Sequence, residues 1–186
     1  MTNIASDLKN ALSGMVSGVG DVADTTRLVA KKTIVETLGT GGAIATSSMQ
    51  VVSDVISEGV QTASSTGVSV TKAASGLVAG TLEGIKDTGG DVASTTSEVA
   101  HHAVKVVSQV GGDVGEAAVS VVTGAIKAAT DIGSDVGSTA KNAVLGSIKA
   151  ADEIGSEAGG LARKALLNAA ALPHDLIDAL LTGVKN

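Results

Sequence analysis

Apolar and small side chains recur along this chain with a fixed spacing of 22 residues. The clearest copy is the row at residues 124–145, which is followed without insertion by the similar row at 146–167. Within a row, the apolar or small positions are 3, 6, 9, 10, 13, 17, 20 and 21, so most steps are three or four residues. Six helical turns in 22 residues give a period of about 3.67, which predicts an α-helix with an 11-residue repeat.

The same register extends backward over most of the chain. Rows begin at residues 14, 36, 58, 80, 102, 124 and 146, and a partial last row begins at 168. Such internal repetition is the signature of a repeat architecture. A β-solenoid would need alternation with a period of two, which does not persist. We expect a lead-in helix over residues 1–13, helical repeats over 14–167 and an apolar C-terminal helix over 168–186.

Two arrangements of the helices fit this register. A single continuous helix would be on the order of 270 Å long at 1.5 Å per residue. Hairpins need breaks, for which the glycine pairs at 41–42, 89–90, 111–112 and 159–160 are candidates. Turns between helices normally insert residues and shift the register, and this register does not shift. We therefore expect long amphipathic helices, extended or folded into few hairpins.

Small residues predict how these helices pack. Glycine in a helix interior costs roughly 1 kcal/mol relative to alanine, so a chain with 24 glycines must gain its order by burying the apolar stripe. Small residues four apart let two backbones approach closely. The fold class is therefore all-α, with helices packed side by side in an oligomer. The predicted helix-packing residues are Gly111, Gly115, Gly133, Gly137, Gly155, Gly159, Ala118, Ala140 and Ala162.

The C-terminal segment carries the strongest apolar element. Pro173 suits the first turn of a new helix over residues 174–181, with Asp175 near its N-terminus. We predict that this segment is a docking or capping piece. Its apolar residues are Leu172, Leu176, Ile177, Leu180 and Leu181.

Charged residues also follow the register. Lysine recurs at 105, 127 and 149, carboxylates follow four residues later at 131 and 153, and acidic residues recur at 91, 113, 135 and 157. A pair such as Lys127–Asp131 contributes only about 0.2–0.5 kcal/mol. We expect these columns to form a solvated face that sets the register with a partner.

Composition narrows the function. The chain has no Phe, Tyr, Trp or Cys, so its core must be built by close approach of small side chains. The absence of Cys excludes disulfides and thiolate sites and fits a cytoplasmic setting. A net charge of −6 argues against nucleic acid as a partner. Because neither a signal peptide nor a transmembrane helix is evident, we expect the cytoplasm or the surface of an intracellular structure.

No catalytic, cofactor-binding or metal-binding residues are predicted. A dinucleotide-like glycine pattern at residues 18–23 lacks the strand that should precede it. Glu98, His101 and His102 lie within one helical turn, but adjacent residues diverge by about 100° on a helix, which favours a solvated face over a metal site. The serines and threonines lack a His/Asp constellation. We expect a protein that is not an enzyme and has no cofactor.

Residues 80–90 and 60–72 resemble the 11-residue repeats of synucleins and perilipins, and they are loosely similar to bacterial phasins and apolipoproteins. The resemblance rests on Thr, Val, Gly and Lys composition and on the 11-residue step. It implies coating of lipid droplets, storage granules or membranes. The chain departs from the pattern because it is acidic and lacks lysine enrichment along the flanks of the apolar stripe.

Two functions therefore stand as alternatives. The first is a non-enzymatic structural protein whose copies bind one another, through small-residue helix packing, into a filament, tube or coat. The second is an amphipathic-helix coat of lipid droplets, storage granules or membranes. The glycines favour the first, because glycine in a lipid-facing stripe only loses contact area.

Overall fold

The computed structural model describes residues 4–15, 21–39, 46–170, 172, 173 and 177, and over these residues the chain is all-α. The described helices pack side by side. They are α1 (Ile4–Met15), α2 (Val22–Gly39), α3 (Thr46–Thr66), α4 (Val70–Asp87), α5 (Val92–Gln109), α6 (Val114–Asp131), α7 (Val136–Ile154) and α8 (Ser156–Asn168).

Four-residue turns separate α4 from α5, α5 from α6 and α6 from α7. Helices α4, α5 and α6 are each 18 residues long, and α4 to α7 begin at residues 70, 92, 114 and 136. One helix and one turn together fill the 22-residue period, so the register continues through the turns unchanged. The expectation of long helices with few breaks is therefore wrong. The turn is part of the repeat and not an insertion into it.

Glycine ends each of these helices. At the end of α5, Gly111 adopts a φ of +83°, in the left-handed region that glycine enters without strain. The N–H groups of Gly111 and Gly112 donate to the carbonyls of Ser108 and Val107 at 3.0 and 2.9 Å. These two bonds form a Schellman motif, which satisfies the last carbonyls of the helix. The same pair of bonds follows α3, α4 and α6.

Aspartate begins the next helix. The Asp113 carboxylate accepts a hydrogen bond from the Glu116 N–H at 2.8 Å, and Asp91 and Asp135 cap α5 and α7 in the same way. A capping residue of this kind contributes about 0.5–2 kcal/mol. These three aspartates are exposed, as expected for a solvated face, and each is also a helix N-cap.

The helices alternate between two layers. Each helix contacts the next one in the chain and the one after that, so odd-numbered helices form one layer and even-numbered helices the other. Within a layer the helices run parallel, because Asn142 and Gly146 of α7 lie opposite Ala93 and Ser97 of α5 in the same order. Short turns make consecutive helices antiparallel. The result is a solenoid of stacked helical hairpins.

The apolar stripe of each helix is buried between the two layers. Helix α4 lies deepest: between Thr71 and Ile85, all residues except Lys72 and Ser75 are buried. Valine, isoleucine, leucine and alanine fill the core. Among the described helices, none is both long enough and apolar enough to cross a membrane.

Candidate functional site

In the rows that begin at residues 80, 102, 124 and 146, the first position lies where a helix meets its parallel neighbour. A Cβ on Gly124 of α6 would overlap the carbonyl oxygen of Ser75 in α4, and a Cβ on Gly146 of α7 would overlap that of Ser97 in α5. Gly80 of α4 faces a backbone carbonyl of α2 in the same way. Glycine at this position therefore allows two helix backbones to touch.

Helix α5 carries His102 at this position. The His102 Nε2 atom lies 3.1 Å from the Ser53 carbonyl oxygen and 2.8 Å from the Ser57 Oγ atom, both on α3. A carbonyl oxygen only accepts, so Nε2 carries the proton and donates it. Burial lowers the pKa of His102 below its ordinary value of 6.5, which keeps the imidazole neutral at neutral pH. The histidine replaces direct backbone contact with a side-chain spacer.

Glu98 acts at the same interface one turn earlier. It is the seventh residue of α5, and the seventh residue of α7, Asn142, donates from its side-chain amide to the Ala93 carbonyl at 2.7 Å. In α4 the seventh residue is Gly76, whose absent Cβ would overlap a carbonyl of α2. A carboxylate only accepts hydrogen bonds, so Glu98 cannot join a neighbouring carbonyl as Asn142 does. The interface between α3 and α5 is therefore open.

A cavity of about 400 Å³ occupies this opening, which we call the α3–α5 groove. It is bounded by α3, α5 and α7 and is rich in polar groups. Its lining residues are Met49, Gln50, Ser53, Ser97, Glu98, His101, His102 and Lys149.

The two adjacent histidines reach opposite neighbours of α5. His102 contacts α3, whereas the His101 Nε2 atom lies 2.9 Å from the Glu153 Oε2 atom on α7. The Lys105 ammonium lies 3.7 Å from the same carboxylate. The hydrogen bond from His101 lowers the pKa of Glu153, and the charges of His101 and Lys105 add to the effect. Both imidazoles thus bind protein groups, and no metal-binding cluster of His, Cys, Asp or Glu occurs among the described residues.

Ion pairs connect α2 and α6 across the outer side of α4. The predicted partner of Lys127 was Asp131, but the Lys127 ammonium lies 3.3 Å from Asp24, and Arg27 binds Asp131 at 2.6 Å. Arg27 also contacts the buried Glu83 carboxylate of α4. These partners differ from the prediction because glycines let α2 pack closely on α4, which brings side chains of α2 within reach of α6.

Five of the predicted packing residues lie at contacts inside the chain. Ala118, Ala140 and Ala162 are buried in α6, α7 and α8. Gly115 is buried where α6 meets α8, since an added Cβ would lie 3.2 Å from the Ala165 Cβ atom. Gly159 is buried against Asp152 of α7. Packing of these residues between copies stays a prediction.

The other predicted packing glycines do not lie at buried contacts between helices. Gly111 and Gly133 lie in turns with positive φ, and an added Cβ would meet no atom within 4 Å, so their assignment to helix packing is wrong. Gly155 separates α7 from α8, and Gly137 is exposed in the first turn of α7. The sequence does not distinguish a glycine that ends a helix from a glycine at a helix interface, and both kinds were therefore predicted to be packing residues.

The predicted C-terminal docking residues are described in part. Leu172 and Ile177 are buried and belong to the core of this chain. The Ile177 N–H donates to the Pro173 carbonyl at 3.1 Å. Leu176, Leu180 and Leu181 lie outside the described residues.

The sequence held a signal for the groove that the prediction did not use. Row position one is Glu36 and Glu58 in two earlier rows, but in the four rows from residue 80 it reads Gly80, His102, Gly124 and Gly146, so His102 stands among glycines there. Comparison of the chain with protein-family models and with curated proteins gives no match.

Proposed function

We propose that the protein is a non-enzymatic structural protein whose copies add end to end, continuing the stack of helical hairpins into a filament. The observation that carries this proposal is an exposed leucine at each described end of the stack. Each one occupies a helix position that a neighbouring helix contacts elsewhere in the chain.

Leu145 is the leucine at the C-terminal end of the odd layer. It is the tenth residue of α7 and is 45% exposed. The tenth residue of α5 is His101, which contacts α7, and the tenth residue of α4 is the buried Ala79. The tenth residue of a helix therefore faces the helix two places later in the chain. On α7 this residue is Leu145, whose exposed side chain is open to another copy.

Leu28 is its counterpart at the N-terminal end of the even layer. It is the seventh residue of α2 and is 69% exposed. The seventh residues of α4 and α7, Gly76 and Asn142, face the helix two places earlier. An incoming copy that places its α8 beside α2 would cover Leu28.

Repeat proteins need terminal repeats with a polar outer face in order to remain soluble as single molecules. A large apolar residue at both ends is the opposite arrangement, and a head-to-tail contact that does not close on itself generates an open polymer. Burial of a leucine side chain contributes about 1.5–3 kcal/mol. Both contacts together would therefore favour polymers at moderate concentration.

The test is electron microscopy and sedimentation velocity of the purified chain without lipid, for the intact protein and for Leu28→Glu and Leu145→Glu. We expect regular polymers from the intact chain and at least tenfold weaker association for each variant. Thr130→Glu is the matched control, because it adds the same charge to the exposed side of the interior helix α6. A monomeric intact protein, or variants that polymerise as it does, would refute the proposal.

The lipid-coat alternative has no comparable support. A coat of this kind needs an apolar stripe that faces lipid, and the stripes of these helices face one another across the two layers. Adding vesicles to the same samples separates the two functions. Binding to vesicles with a gain of helix, in a chain that is unfolded without them, would favour the coat.

A further inference from the structure

We propose that the α3–α5 groove binds a small zwitterion, a molecule of amino-acid or dipeptide class with one primary ammonium and one carboxylate. This inference goes beyond assembly, because the groove lies on the side of the odd layer and not at an end of the stack. It rests on two charged side chains that line one cavity.

The two charges are Glu98 and Lys149. Neither makes a hydrogen bond or an ion pair with any other described residue. The Glu153 carboxylate does feel the charge of Lys149, but its hydrogen bond is with His101. The groove thus offers one carboxylate and one ammonium, which complement a ligand carrying both opposite charges.

Glu98 is free to bind a cation because of its place in the repeat. At the equivalent place in α7, Asn142 uses its amide to bind a backbone carbonyl and joins two helices. A carboxylate in that place is repelled by carbonyl oxygens and needs a donor instead. A ligand ammonium supplies three N–H donors, and it can satisfy the Glu98 carboxylate and a nearby hydroxyl together.

His102 keeps the groove open and leaves the ligand charges to Glu98 and Lys149. Its Nε2–H is committed to Ser53 and Ser57, and burial keeps the ring neutral, so it adds no competing cation at neutral pH. The remaining lining groups include the Gln50 amide and the Ser97 hydroxyl, which are neutral. They suit the peptide or side-chain polar atoms of such a ligand.

Size and composition limit the ligand class. A cavity of about 400 Å³ lies at the small end of the range for ligand pockets, roughly 300–1,000 Å³. Quaternary ammonium groups are bound by cages of Trp, Tyr or Phe, and this chain has none of these residues. A primary ammonium that donates hydrogen bonds is therefore the cation that the groove fits.

The experiment is isothermal titration of the intact chain with glycylglycine, with N-acetylglycylglycine and with glycylglycine amide. We expect the zwitterion to bind at least tenfold more tightly than either singly charged analogue, because each analogue lacks one charged hydrogen bond. Glu98→Gln should abolish the advantage over the acetylated analogue. Lys149→Gln should abolish the advantage over the amide.

Lys72→Gln is the matched control, since Lys72 is exposed on α4 and does not line the groove. All three variants change exposed residues, so circular dichroism should show unchanged helix content. The proposal is overturned if glycylglycine and a panel of free amino acids fail to bind below about 10 mM, or if the amide binds as well as the zwitterion. Polymerisation should be unaffected by the groove variants, which separates this result from the fate of the assembly proposal.

Discussion

Helix α5 meets its two neighbours in the odd layer in opposite ways. On one side Gly146 of α7 lets the backbones of α5 and α7 touch at Ser97. On the other side His102 holds α5 away from α3 and reaches the Ser53 carbonyl through its imidazole. The repeat position is the same, and the glycine or histidine at that position decides whether the interface is closed or forms a groove.

In α4 to α7, this one repeat position holds either a glycine at a backbone contact or the histidine beside the groove. The turns before and after α5 both have four residues, and the two interfaces differ in the side chain at this repeat position. Tight interfaces depend on the absence of a Cβ, whereas the groove depends on a hydrogen bond made by a half-buried, neutral ring. The two kinds of interface should therefore respond differently to mutation and to pH.

The largest effect is expected from Gly146→Ala. The new methyl group would overlap the Ser97 carbonyl, so α5 and α7 must separate or shift. We expect a loss of about 1–3 kcal/mol in the free energy of unfolding. Urea denaturation followed by circular dichroism measures this free energy.

Gly160→Ala in α8 is the control, because it adds a methyl group with no atom within 4 Å and should stabilise the helix by up to about 1 kcal/mol. Equal effects of the two substitutions would show that close approach is unimportant.

A smaller effect on stability, but a change of shape, is expected from His102→Gly. Loss of hydrogen bonds to α3 should cost about 1–2 kcal/mol, and without its spacer α5 can approach α3. Because the chain has no cysteine, spin labels at Asp54→Cys and Lys105→Cys can report the distance between the helices. We expect the distance to shorten by up to about 2 Å, the range of normal interhelix spacing. His102→Gln, which retains an N–H donor, should leave the distance unchanged; a constant distance in His102→Gly would contradict the spacer role.

The smallest effect is expected from pH. Burial lowers the pKa of His102 in the folded protein, so the unfolded chain binds a proton more readily than the folded one. The contribution of His102 to stability is therefore complete above about pH 6.5 and is lost as the pH falls below that value. Urea midpoints at about pH 8 and about pH 5.5 should differ more in the intact protein than in His102→Gln. The pKa of Glu153 is also lowered, so the stability that Glu153 contributes is lost only at lower pH, in a range separate from that of His102. An identical pH response of the two proteins would remove His102 as the cause.

Much of the fold could be predicted from residue spacing, and the errors have identifiable causes. The helical class followed from the three- and four-residue steps, and the period followed from the close similarity of the two rows between residues 124 and 167. The candidate breaks at 89–90 and 111–112 do lie in turns. The number of breaks was underestimated because a turn of x-Gly-Gly-Asp or x-Gly-Ser-Asp occupies four residues, close to one turn of helix. A continuous helix and a hairpin therefore share the same register.

The candidate groove could be predicted less well. Glu98, His101 and His102 were noticed as a group, but their neighbours could not be known. Adjacent histidines diverge on a helix, and only the stacking order of the layers directs His101 to Glu153 and His102 to Ser53. Likewise, Asp131 had a lysine four residues before it in the sequence, yet it binds Arg27 from a helix two places away.

The amino-acid sequence alone is enough to recognise the 22-residue unit, its helical period and the glycines and aspartates at which a helix can end and restart. These are local properties, set by backbone conformation and by side chains a few residues apart. The three-dimensional packing was needed to show that the described units fold back, that Gly146 is a contact whereas Gly133 is a turn, and that Glu98 and Lys149 line one cavity. Glycine permits both a left-handed turn and a close contact between helices. Burial of the apolar stripes against neighbouring helices determines which of these two roles a given glycine has.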